Sequence, residues 1–182
     1  MTVSKALVRA SKRMAFWSKA AVVITPLSTM LLFLFPDQVR MVGGDFSVTA
    51  HYGHILSNSL LLSDRLIAMG FAMIPTAVAT WGMVALVRLF KRLGEGEVFS
   101  PEALRAFSDI ATALFWNVLA TIATEPAITY FLSRGHTPVH LYTQITLGAD
   151  DVELLFLAGI AYVIARVMAE ARVVAEENAK FV

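Results

Sequence analysis

Apolar residues gather into four long runs, at about residues 15–35, 66–87, 110–132 and 152–168, and polar residues collect in the connections between them. Crossing a hydrocarbon layer of about 30 Å takes roughly 20 helical residues, within a range of about 17–25, and all four runs meet that length. None shows the alternation of a barrel strand, and backbone polar groups in hydrocarbon must be satisfied within their own segment. Each run therefore predicts a transmembrane helix. The pattern as a whole predicts a membrane α-helical protein, a single integral domain over residues 1–182 built as a four-transmembrane-helix bundle.

Cationic residues sort to one side of these spans. The N-terminal arm (Lys5, Arg9, Lys12, Arg13, Lys19), the second connection at 88–109 (Arg88, Lys91, Arg92, Arg105) and the C-terminal end (Arg166, Arg172, Lys180) carry twelve of them. The first and third connections, 36–65 and 133–151, carry only Arg40, Arg65 and Arg134. The positive-inside rule then places both termini, with the tail 169–182, in the cytoplasm and the first and third connections outside. Leu34-Phe35-Pro36-Asp37 offers no small-residue cleavage site, so the first run is expected to stay attached as an anchor. Lys5, Arg9, Lys12 and Arg13 share one helical side, with Val3, Leu7, Met14 and Trp17 largely on another. Such an arm is expected to lie along the inner leaflet before turning in.

The connections carry patterns of their own. In the first, residues 38–42, Gly43-Gly44-Asp45 and residues 46–50 read as strand, tight turn and strand, since Gly-Gly supplies the positive φ that hairpin turns need. Residues 139–147 are β-branched, aromatic and partly alternating, and are expected to add a strand to this small extracytoplasmic sheet. Residues 55–63 read as helix, with Asn58 and the serines facing water or headgroups. In the second connection, helix two is expected to run past Arg88 to Leu93 and stop at Gly94, which tolerates a left-handed helix end. Glu95-Gly96-Glu97-Val98-Phe99 then makes a tight loop, Ser100 caps the third helix, Pro101 takes its first position and Glu102 complements its dipole. The second and third helices are thus expected to form an antiparallel hairpin, with Phe99 filling the gap between their inner ends.

The run Leu86-Val87-Arg88-Leu89-Phe90-Lys91-Arg92-Leu93-Gly94-Glu95-Gly96-Glu97-Val98-Phe99-Ser100-Pro101-Glu102 resembles the central signature of a bacterial family, domain of unknown function 2975 (DUF2975). In that family a basic helix end is followed by Gly-Glu-(Val/Ile)-Phe-(Ser/Thr) and a new membrane helix. The segment Ala165-Arg166-Val167-Met168-Ala169-Glu170-Ala171-Arg172-Val173-Val174-Ala175-Glu176-Glu177-Asn178 is similar to the family's closing segment, a span running into a helical tail with Glu-Glu-Asn. Here Val174-Ala175 stands where the family's usual Leu precedes that triplet. With the four-span layout, the resemblance covers most of the chain from about Leu66 onward. It implies a small four-span inner-membrane protein without an established molecular activity, encoded in some members beside small helix-turn-helix regulators. It implies no catalytic residue.

Composition narrows the class further. Apolar residues make up 57% of the chain and charged ones 16%, against roughly 45–50% and about 25% in soluble domains, and the mean hydropathy is +0.66. With 15 basic against 14 acidic residues, the chain lacks the excess that draws a protein onto nucleic acid, and no such partner is expected. Absence of cysteine removes disulfides, thiolate nucleophiles, Cys-based zinc sites and iron–sulfur clusters. There is no Gly-rich phosphate loop, no His-Glu-x-x-His and no Gly-x-Ser-x-Gly. Neither an enzyme nor a cofactor is expected, and nothing in the pattern sets an oligomeric state.

One acidic residue lies at membrane depth. Glu125 stands 16 residues after Asp109 and 7 before Leu132, about 10 Å below the outer helix end at about 1.5 Å per residue. An intramembrane carboxylate is costly and by default marks a function. Asn117, Thr121 and Thr124, with Glu125 four beyond Thr121, form a polar stripe expected to face the bundle, and Pro126 frees the carbonyl of Ile122. Pro26 and Pro75 interrupt two further spans, flanked by Thr25, Ser28 and Thr29 and by Thr76 and Thr80. One reading is a polar cavity or proton site around Glu125, with Arg65 or Arg134 as counter-ion. The other is that these groups lock helices together, at about 0.6 kcal/mol per bond, while Glu125 makes a structural pair. All four histidines fall in the outer connections, where His51, His54, His136 and His140, with Asp45, Asp150 or Asp151, are candidate ligands for zinc, copper or nickel.

Two functional readings follow. The first is a non-enzymatic interaction or signalling module, seated in the lipid bilayer, whose cytoplasmic loop (Glu95, Glu97, Phe99, Ser100) and tail engage a cytoplasmic protein such as a small regulator. The second is a sensor or carrier of a small solute, proton or metal, using Glu125 and the outer histidines.

Overall fold

A computed structural model of the chain describes residues 5–36, 61–97, 100–133 and 148–178. They form four helices, α1 (Lys5–Leu34), α2 (Leu62–Gly94), α3 (Pro101–Ser133) and α4 (Ala149–Asn178). All four are long and apolar enough to cross a membrane. The distribution of side chains agrees with that length. The described interior is dominated by small residues, with Ala68, Ala72, Ala85, Ala103, Ala106, Ala113 and Ala158 buried, whereas Phe16, Trp17, Phe156 and Tyr162 face outward. Phe156 is 69% exposed. Lipid tails are as apolar as these side chains, so helices in a bilayer gain by letting small residues bring backbones together and leaving large ones to the lipid. In water the same surface would be one continuous apolar patch. The chain is a multi-pass membrane protein.

The helices pack in chain order. The α2–α3 interface is the most extensive, α1 lies on α2, and α4 lies chiefly on α3, so the bundle is open rather than closed by an α1–α4 contact of similar weight. Two apolar clusters stand at its ends. Far from the turn between α2 and α3, Leu32 and Phe33 of α1 meet Ala68 and Ala72 of α2 and Ile128 and Leu132 of α3, and Phe71 stacks on Phe131 with ring centroids 6.2 Å apart. At the opposite end, here called the basic end, Leu89 packs with Ala103 and Ala106 under Leu86, Leu93, Phe107 and Ile110. Between the clusters α2 and α3 approach closely at Gly82, where an added Cβ would stand 2.9 Å from the Cβ of Ala113.

Several expectations change. The 33 residues of α2 and of α3 span about 50 Å each, so both extend beyond a hydrocarbon core of about 30 Å. The N-terminal arm does not turn aside. It is the first part of one 30-residue helix, and Ser11 and Lys12 lie against Gly94. Packing against the end of α2 buries Ser11 and so favours a continuous helix over an arm that bends away. Nor does a single helix run through 55–63, because Leu61 takes an extended conformation (φ −58°, ψ 135°) and α2 begins at Leu62. Among the described residues there is no strand. The hairpin read at 38–50 and the strand read at 139–147 lie outside the described residues, as do Val98 and Phe99.

The Gly82 contact generates a direct test. Gly82→Val is expected to lower stability by about 1–3 kcal/mol through overpacking against Ala113. Gly70→Ala, whose added carbon meets nothing within 4 Å, is expected to be neutral or stabilising by up to about 1 kcal/mol. Denaturant titration in detergent micelles, followed by circular dichroism, measures both.

Candidate functional site

Two groups of residues stand out as candidates, the turn at the basic end and the polar seam between the end clusters. The turn is closed by two backbone bonds at the end of α2. The Gly96 N–H donates to the Leu93 carbonyl at 3.1 Å and the Glu97 N–H to the Arg92 carbonyl at 3.0 Å. This is a Schellman closure, and its left-handed residue is Gly96, with φ 85°. The helix ends at Gly94 as expected, but the left-handed residue stands two positions later, while Gly94 stays helical beside Ser11 and Lys12 of α1. On the other side of the turn, the Ser100 hydroxyl accepts the Ala103 N–H at 3.2 Å and donates to the Glu97 carbonyl at 3.1 Å. Ser100 thereby caps α3, with Pro101 at the first helical position where its missing N–H costs nothing.

Arg92 ties the charges of this turn together. Its Nη1 lies 3.3 Å from Glu95 Oε2 and 3.1 Å from Glu97 Oε2, although the two carboxylate side chains remain 43% and 49% exposed. Beside it Arg88 bridges α2 to Asp109 of α3 at 2.9 Å. Exposed pairs of this kind contribute about 0–1 kcal/mol each, so their main effect is on where the carboxylates are held. Sequence reasoning assigned Glu95 and Glu97 to the turn and passed over Arg92, which was legible as a cation three and five residues before them.

Three bonds of the polar seam join neighbouring helices. Thr29 and Thr76 hydroxyls meet at 3.4 Å, and the Thr25 hydroxyl donates to Met83 Sδ at 3.4 Å, both between α1 and α2. Asn117 Nδ2 donates to the Pro75 carbonyl at 2.9 Å, linking α3 to the proline-interrupted turn of α2. The remaining hydroxyls turn back on their own helices, Thr121 to the Asn117 carbonyl at 3.0 Å and Thr124 to the Ala120 carbonyl at 2.8 Å. Of the predicted stripe, then, Asn117 reaches a neighbouring helix through a bond shown here, whereas Thr121 and Thr124 cover backbone carbonyls. Glu125 is half-buried and partnered.

Arg65 is 6% exposed, and its bonds to α1 define a role that sequence reasoning missed. Its Nε and Nη2 donate to the Phe33 carbonyl at 2.9 and 2.6 Å, and Nη2 also donates to the Leu34 carbonyl. These carbonyls belong to the last turn of α1, which has no intrahelical donors left for them. A cation is also the favoured charge at a helix C-terminus. The four histidines lie outside the described residues. Among the described residues no group of three or more His, Cys, Asp or Glu is placed to hold a metal. Asp151, one of the carboxylates considered for such a site, accepts the Gly148 N–H at 3.0 Å at the start of α4.

Two measurements follow from these contacts. Arg65→Met keeps much of the side-chain volume but orphans the α1 carbonyls, and is expected to cost about 2–4 kcal/mol in detergent-micelle unfolding, with Arg65→Lys intermediate. At the turn, Gly96→Ala is expected to cost about 1 kcal/mol because it forces an L-residue to positive φ. Gly94→Ala, whose Cβ meets Lys12 Cγ at an ordinary 3.6 Å, is expected to cost nothing measurable.

Comparison with known proteins places this geometry in a family. No curated protein and no solved structure matches the chain. The profile of one family, described as Protein of unknown function (DUF2975), matches residues 48–182, so the similarity begins inside the first connection rather than near Leu66. That stretch contains the capped turn, Arg65 and three of the four helices, and over it the chain belongs to the DUF2975 family.

Proposed function

We propose that this protein is a non-enzymatic module of the bacterial inner membrane, with both termini cytoplasmic, that engages a cytoplasmic protein through its basic end. The surface consists of the turn between α2 and α3 together with the last turns of α4. The observation that carries this reading is the construction of the turn. A Schellman closure, the Ser100 cap and Arg92 hold two half-exposed carboxylates, Glu95 and Glu97, at the tip of a helical pair. Packing alone requires neither carboxylate, and a preorganised pair of charges reduces the ordering cost of binding a basic partner surface. The tail adds a second strip, where Arg166 and Glu170 pair on the exposed side of α4. A small helix-turn-helix regulator, as implied by the family resemblance, is the first partner to try.

A second reading, a solute, proton or metal sensor, is favoured by one observation, the half-buried Glu125 at membrane depth. The bond from Asn117 to the Pro75 carbonyl of α2 supports helix locking in its place.

Photo-crosslinking from position 97, followed by pulldown in mild detergent, tests the first reading. Charge reversal by Glu95→Lys with Glu97→Lys is expected to abolish a partner that Arg9→Gln leaves in place. A partner list unchanged by the reversal overturns it. In a reconstituted uptake assay, Glu125→Gln is expected to behave as wild type, and lost proton or solute uptake would favour the second reading instead.

A further inference from the structure

The α3–α4 interface is the least extensive of the three sequential ones. Between these helices lies a groove of about 440 Å³, lined by Ala111, Thr112 and Phe115 of α3 and by Leu155, Gly159 and Tyr162 of α4. Its size falls within the range of about 300–1,000 Å³ typical of small-molecule sites. A Cβ added at Gly159 would meet nothing within 4 Å, so open space faces the backbone there.

Toward the basic end the same two helical faces change chemistry. Arg105 and Ser108 precede Thr112 by seven and four residues, on one face of α3, and Arg166 follows Gly159 and Tyr162 by seven and four, on one face of α4. Because the helices are antiparallel, both arginines stand beyond the same end of the groove. Each lies about 10 Å from its lining residue at about 1.5 Å per residue. Arg105 is exposed, and the Arg166 side chain is 72% exposed. The nearby acids leave this charge largely intact. Asp109 is already paired with Arg88, Glu102 lies a turn beyond Arg105 at the start of α3, and Glu170 takes the Arg166 Nε at 3.2 Å, leaving its Nη groups for another acceptor.

We propose that the groove holds an acyl chain of an anionic phospholipid whose phosphate sits between Arg105 and Arg166. An apolar groove at membrane depth cannot distinguish one lipid tail from another, because tails and apolar side chains are equivalent surroundings. Selectivity therefore resides in the headgroup, and a guanidinium fork matches phosphate oxygens two at a time. Basic residues beside a groove between spans form the arrangement that recognises acidic headgroups. The site shares Arg166 with the α4 strip of the proposed partner surface but none of the carboxylates of the turn, and a lipid measurement without any partner present distinguishes the two readings.

The test is native mass spectrometry of the full-length protein released from detergent after incubation with equal amounts of phosphatidylglycerol and phosphatidylcholine bearing identical chains. The wild type is expected to retain phosphatidylglycerol preferentially. Each of Arg105→Gln and Arg166→Gln is expected to reduce that preference about fivefold. Gly159→Leu, which fills the groove, is expected to lose the adduct, and Arg9→Gln with Arg13→Gln to leave it unchanged. Circular dichroism confirms folding of each variant, with Gly159→Val as the smaller filling should Leu disturb it. Equal retention of the two lipids, an equal loss in the Arg9 and Arg13 control, or an adduct that survives both groove fillings overturns the proposal. So does a wild-type mass of two chains that Gly159→Leu reduces to one, which would seat a second copy in the groove.

Discussion

The C-terminal carbonyls of α1 need donors in surroundings where water is scarce, and Arg65 supplies them from the first turn of α2. That contact pins the end of one helix to the start of the next. Once the two ends are joined, α1 and α2 run side by side, Leu32 and Phe33 close over Ala68 and Ala72, and Thr29 meets Thr76 just below them. Burial of the guanidinium is tolerable because its donors end on partial negative charges at a helix terminus rather than on empty space. The α2–α3 pair is pinned at its opposite end by the Schellman closure and the Ser100 cap. The three helices are thus stitched alternately at one end and then the other.

Between these pins the packing follows membrane rules. Small residues bring the backbones together, closely at Gly82 and Ala113, and side-chain hydrogen bonds between helices are individually modest. Prolines at 26, 75 and 126 interrupt the backbone ladder, and around the first two neighbouring hydroxyls and Asn117 supply bonds to the backbone carbonyls. The fourth helix is different. It has one extensive neighbour, and its remaining circumference presents Phe156, Tyr162, Val163 and Val167 outward. Its weak attachment to α3 is what leaves the groove.

How much of this was legible beforehand depended on the kind of signal. The capped turn could be read almost residue by residue, because Gly, Glu, Ser and Pro each carry a local backbone preference that tertiary contacts did not override. Even there the left-handed position falls on Gly96 rather than Gly94, since both tolerate it and the closing bonds to the Leu93 and Arg92 carbonyls decide between them. Arg65 was harder. As a cation near a membrane boundary it suggested a counter-ion for Glu125, and no local pattern marks its bonds to α1, which depend on which helix lies beside it.

Run length, apolar content and the placement of turn residues were enough to determine four membrane helices, their approximate limits and the hairpin of α2 with α3. These are properties of short stretches of chain in contact with solvent or lipid. The tertiary structure alone decided the order of helix packing, the straight continuation of the basic arm into α1, the capping of α1 by Arg65 and the groove beside α4. A span that is apolar all round carries little periodicity to mark its inner face, so these choices rest on which small residues and orphaned carbonyls meet when the helices come together.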